Sequence, residues 1–177
     1  MKRHFVKFLI AFLPLAGVSS ALVHPFGAVK SKAFRGSLLT DAQIDPRVLA
    51  TLERSCQNCH SGNTVWPWYS YIAPVSWLIE NDVRKGRSRM NLSRWHDYSV
   101  EEREKILSEV ATVVKNGEMP LPQYTLIHPD AKLSEADVDQ IYQWARTERR
   151  RLKITTPEKV SPAANENLHF ILSKFSK

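Results

Sequence analysis

Apolar residues recur at three- and four-residue spacing in four stretches of the chain, each bounded by residues that start or stop helices. In the first, Val48, Leu49, Leu52 and Cys56 share a face. Asp45 is placed as an N-cap, and Pro46 suits the first helical position. The spacing predicts a helix of about three turns that runs straight into Cys56. The second stretch, Ala73 to Val83, reads as a short helix opening at Pro74. Trp77, Leu78 and Val83 should face inward, and Gly86 should end it. The third begins with Ser99 and Glu102 spaced as a capping box, and puts Ile106, Leu107, Val110, Val113 and Val114 on one stripe. Lys115 falls in its last turn and Asn116-Gly117 should close it. The fourth opens at Ser134-x-x-Asp137 and aligns Val138, Ile141, Tyr142 and Ala145, with Trp144 beside them.

Between these stretches the chain is read as loop. Residues 24–44 lack periodicity and hold Pro25, Gly27 and Gly36, which suits a linker or an extended lead-in. Ser61 to Ser70 is a loop carrying Trp66, Trp68 and Tyr69, and aromatic side chains need apolar surface to cover. Met90 to Tyr98 is most simply a loop. Pro120 and Pro122 argue against helix after Gly117, so Met119 is expected on a stiff extended segment. Thr155-Thr156-Pro157 should break the last helix, leaving a weakly amphipathic tail with Leu168, Phe170, Ile171 and Phe175. These readings describe an all-α chain of four parts. Residues 1–21 are a targeting segment, 22–44 a linker, 45–153 a helical domain and 154–177 a tail.

The start of the chain differs from the rest. Met1-Lys2-Arg3-His4 is basic, Phe5 to Val18 is apolar apart from Lys7, and Ser19-Ser20-Ala21 offers small residues for a cut after Ala21. This is the layout of a secretory signal peptide, and an uncleaved membrane anchor is the alternative. Either way the remainder is expected across the cytoplasmic membrane, periplasmic, and soluble or anchored by its N-terminus.

Length and composition add bounds. A chain of 177 residues with 43% hydrophobic residues and five Trp can build one packed core. The net charge of +7 draws on two local runs, Arg84 to Arg89 and Arg146 to Lys153. Such runs are usually solvated faces. As functional surfaces they would suit an acidic redox partner or anionic lipid, and a nucleic-acid partner is not expected.

The chemistry lies in Cys56-Gln57-Asn58-Cys59-His60. The pattern C-x-x-C-H is the attachment sequence of a c-type haem. Two thiols one helical turn apart can add to the two vinyl groups on one porphyrin edge, and His60 then lies under the iron. A thioredoxin-like pair would need a βαβ context and leaves His60 unexplained. A zinc site would need more ligands than the sequence offers nearby. A disulfide here would close too small a loop to stabilise much. Both cysteines of the chain lie in this motif. Met119 is the candidate second axial ligand, because a thioether is a soft donor and flanking prolines would hold it in place. His96, His128 and Met90 are its competitors. Trp66, Trp68, Tyr69 and Trp77 are candidate cover for the cofactor.

The order of helix, C-x-x-C-H, short helices, Met-Pro loop and closing helix resembles class I cytochromes c. The blocks Trp66-Pro67-Trp68-Tyr69-Ser70 and Ala73-Pro74-Val75-Ser76-Trp77 are closer still to the haem-binding domain family of bacterial exported proteins. So are Asp82-Val83, Gly86-Arg87, Asn91, Ser93, Trp95, Met119-Pro120, Tyr124, His128-Pro129, Ala131, Leu133-Ser134 and Trp144. The likeness covers residues 45–150, with Leu92 standing where the family pattern has Phe. It implies a small all-α domain around one covalent haem c. Electron transfer with His60 and Met119 ligation is the expected role, and the chain is not expected to be an enzyme. The alternatives are a haem sensor, a subunit of a membrane redox complex, or a peroxidase-like enzyme in which Met119 gives way and His96 or His128 handles protons.

Overall fold

A computed structural model describes residues 29, 30, 34 and 36–155. The targeting segment at 1–21 and the tail beyond Thr155 lie outside the described residues. Among the described residues the chain is helix and turn with no strand, as the hydrophobic spacing predicts. The helices are α1 (Pro46–Ser55), α2 (Gln57–His60), α3 (Val75–Arg89), α4 (Val100–Lys115), α5 (Pro122–Ile127) and α6 (Glu135–Thr155). Short 3-10 turns occupy Trp68–Tyr71, Leu92–Asp97 and Pro129–Ala131.

The helix starts follow their caps. Asp45 accepts a hydrogen bond from the Arg47 N–H at 2.8 Å, and Pro46 takes the first position of α1. Ser99 and Glu102 form the complete capping box of α4. Ser134 and Asp137 exchange side chain-to-backbone bonds at the head of α6. Gly117, at φ +70°, closes α4 through its N–H to the Val114 carbonyl. A side chain at that φ would be strained.

The core lies between α4 and α6, the most extensive helix pair. Ile106, Leu107, Ala111 and Val114 meet Ile141, Ala145 and Leu152, and α1 adds Val48 and Leu52. Burying each large aliphatic side chain contributes about 1.5–3 kcal/mol. Leu38 and Leu39 also belong to this core, so the expected lead-in packs as part of the domain. Gln43 fixes it further. Its carbonyl accepts from the Trp144 indole at 3.0 Å, and its N–H donates to Glu148 at 3.3 Å. Glu148 is buried on α6 and holds Arg151 through two short bonds of 2.7 and 2.6 Å.

Five local expectations change. The helix ahead of the motif ends at Ser55, and the chain bends at Cys56 before α2. The Met90–Tyr98 stretch is a 3-10 turn that buries Leu92 and Trp95. Pro122 opens α5 rather than forbidding it, because the N–H that proline lacks has no partner in a first turn anyway. Gly86 lies inside α3, which continues to Arg89, and the buried face of α3 is Ser76, Glu80, Val83 and Gly86 while Leu78 is 52% exposed.

Candidate haem-binding site

The Cys56–His60 turn is set by α1 behind it and α3 across it. Gly86 explains the approach of α3. A Cβ at position 86 would fall 2.5 Å from the Cys59 carbonyl oxygen, a contact with backbone that cannot swing aside. Glycine at 86 is therefore a packing requirement.

His60 is held in one tautomer. Its Nδ1 lies 3.2 Å from the Met90 carbonyl oxygen. A carbonyl accepts, so Nδ1 carries the proton and Nε2 presents its lone pair. Burial pushes the imidazole pKa below its ordinary value, against the raising effect of the Met90 and Gly86 carbonyls, and the ring is neutral at physiological pH. A neutral imidazole oriented through its other nitrogen is what a metal-ligating histidine needs.

Cys56 and Cys59 form no disulfide. Burial, reinforced by Cys59, pushes the Cys56 thiol up to about 12. Burial and the nearby Asp82 push Cys59 up to about 11. These are not the low-pKa thiols of a redox pair. Among the described residues no three His, Cys, Asp or Glu side chains gather as a metal site of their own, which a zinc site would need.

The loop after the motif is pinned by Arg87. Its guanidinium donates to the Ser61 carbonyl at 2.8 Å, the Val29 carbonyl at 2.9 Å and the Thr64 hydroxyl at 3.0 Å. Ser61 is fully buried, and its hydroxyl donates to the Gln57 carbonyl at 2.7 Å. Lys30 lies over the rings of Trp66 and Tyr71, donates to the Ser70 carbonyl at 2.7 Å and pairs with buried Glu80 at 3.6 Å.

The expected cover residues divide. Trp66 packs under Lys30, and Trp77 is half-buried. Trp68 is 75% exposed with its edge on Tyr69. The Tyr69 hydroxyl is 2.9 Å from His128 Nε2, so His128 is engaged. His128 stacks on Tyr124, and the Tyr124 hydroxyl accepts from Asn58 within the motif at 2.7 Å. His96 is an exposed partner of Asp97 at 2.8 Å. Met119 is half-buried, with its N–H on the Val113 carbonyl at 3.3 Å. Met90 enters through its carbonyl rather than its sulfur.

The donor set fits a haem. Two thiols and an Nε2 lone pair lie on one turn. The exposed large apolar side chains, Ile154 apart, fall at Val65–Leu78 and Leu126–Ile127, on elements packed or hydrogen-bonded to that turn. Reasoning from sequence gave no structural role to Asn58, Arg87 or Glu80. Asn58 is a free position of the motif, and Arg87 is hidden in a basic run.

A chain built this way is a haem-binding domain, and the comparison with known families agrees. The chain belongs to the haem-binding domain family, whose model matches residues 17–147, a span that includes the motif and Met119. It is also 26% identical over 149 residues to cytochrome c peroxidase Ccp of Escherichia coli (strain K12). That match covers 79% of this chain and 32% of the peroxidase, so the chain spans about a third of that relative's length. No solved structure matches the chain.

Proposed function

We propose that the chain is a monohaem c-type cytochrome of the periplasm that passes single electrons. Cys56 and Cys59 would hold the cofactor by thioether bonds, His60 Nε2 would be the proximal ligand and Met119 the second axial ligand. Haem iron bound there would supply one-electron oxidation and reduction. The observation that carries the reading is the His60 ring inside C-x-x-C-H, with its Nδ1 3.2 Å from the Met90 carbonyl oxygen. The protein's own work is to orient that ring, exclude water and hold Met119 near. Exposed Arg146 and Arg150 on α6 would offer the docking face for an acidic redox partner, since Arg151 is committed to Glu148. The N-terminal segment offers export and a route to membrane attachment.

Acid–acetone extraction followed by a denaturing gel tests the linkage. Haem should stay with the polypeptide, and replacing Cys56 and Cys59 together with Ala should abolish this. Haem that leaves entirely with the solvent refutes the reading.

The likeness to a cytochrome c peroxidase favours a second reading, peroxidase-like turnover. It requires the second axial position to open. Measurable consumption of hydrogen peroxide by the purified haem protein, with rapid carbon monoxide binding to its ferrous form, would select it over the carrier.

A further inference from the structure

The segment from Met119 to His128 has little apolar hold on the domain. Helix α5 buries none of its side chains, and Leu126 and Ile127 are 81% and 56% exposed. Yet this segment is fixed against the motif by polar contacts. Asn58 accepts from the Val65 N–H through Oδ1 at 3.0 Å, which turns its Nδ2 to the Tyr124 hydroxyl at 2.7 Å. One turn on, the His128 ring stacks on Tyr124 with centroids 4.5 Å apart, and its Nε2 meets the Tyr69 hydroxyl at 2.9 Å.

The anchoring side of these contacts is itself cross-bonded. Thr64 donates to the Asn58 carbonyl at 2.6 Å and is itself held by Arg87. Tyr69 sits in a turn whose Ser70 is fully buried, with its hydroxyl on the Pro67 carbonyl at 2.6 Å. The contacts therefore join a fixed wall, which includes the motif, to a segment with no core of its own. Met119 stands at the start of that segment, two residues before the cap of α5.

We propose that Asn58, Tyr124, His128 and Tyr69 form a polar latch that positions the Met119 segment over the C-x-x-C-H turn and so sets how often the second axial position opens to an outside ligand. The proposal rests on the reading that Met119 is that second ligand. These four are positioning residues. One net hydrogen bond contributes about 1 kcal/mol, so losing one should raise the open population on the order of fivefold.

The test uses the intact haem-bearing protein, with carbon monoxide as the probe of the ferrous site. Tyr124→Phe keeps the stack on His128 and removes the hydroxyl that accepts from Asn58. His128→Phe keeps the stack and removes the bond to Tyr69. Each should raise the carbon monoxide association rate on the order of fivefold and weaken the far-red absorption of a sulfur-ligated ferric haem. Met119→Ala should exceed both. Melting of each variant, followed by circular dichroism, confirms that rates are compared on folded protein. If the unmodified protein is low-spin and both variants bind at its rate with unchanged far-red absorption, the latch is overturned and the Met119 reading stands. If the unmodified ferrous protein is already high-spin and binds rapidly, the Met119 reading itself fails.

Discussion

The two halves of the molecule are held together by different means. In the α4–α6 half, Leu107, Ile141 and Ala145 are fully buried among aliphatic neighbours, and helix packing is enough to define the structure. In the half around the motif, no side chain of α2 or α5 is more than partly buried, and hydrogen bonds from Arg87, Asn58 and Tyr69 do the holding. The first half is a conventional core. The second is a polar frame with apolar side chains turned outward, the arrangement expected of residues that share a large apolar cofactor. The difference teaches that stability and function are separated here in space.

That separation can be attacked from either side. Leu107→Ala should remove the most, about 2–5 kcal/mol, read as a fall in the urea midpoint. The orientation of His60, read from the haem spectrum below the transition, should be unchanged. Gly86→Ala should cost about 1–3 kcal/mol through overpacking, and here the spectrum should change too, because the added Cβ pushes on the Cys59 backbone. If Gly86→Ala left both readings untouched, the close seat of α3 would be wrong. Ser99→Ala should cost about 1 kcal/mol by loss of the α4 cap, with no spectral effect.

The smallest effect lies at the seam. Burial acts to raise the Asp137 carboxyl, but hydrogen bonds from the Ser134 backbone and hydroxyl and from Arg54 outweigh it, and its pKa lies below the ordinary value. A depressed carboxylate stabilises the fold above its unfolded pKa and loses that contribution as pH falls through its lower folded value. Acid titration of the melting temperature should therefore show a decline below about pH 4 that is shallower in Asp137→Asn. An unchanged acid limb in that variant would assign the decline to other carboxylates.

What could be read from the sequence follows from how local each cause is. Asp45-Pro46, Ser99 with Glu102, and Ser134 with Asp137 act within one turn, and each starts a helix where expected. C-x-x-C-H is equally local. The inward face of α3 was not legible, because Glu80 is buried by Lys30, fifty positions before it in the chain. Leu38 and Leu39 carry no periodicity, and they reach the core because Gln43 is tied to Trp144 and Glu148. Gly86 was read by its usual local meaning, a helix stop. Its actual cause, the Cys59 carbonyl, belongs to a different helix. Asn58 and Tyr124 were invisible as a pair for the same reason.

The seat of Gly86 against Cys59 also bears on how the motif turn keeps its shape. With only a hydrogen at position 86, the backbone of α3 reaches the Cys59 carbonyl directly. A turn of one helix is thereby braced by the side of another, from further along the chain. Any group attached at that turn would inherit its bearing from α3 as much as from the motif itself.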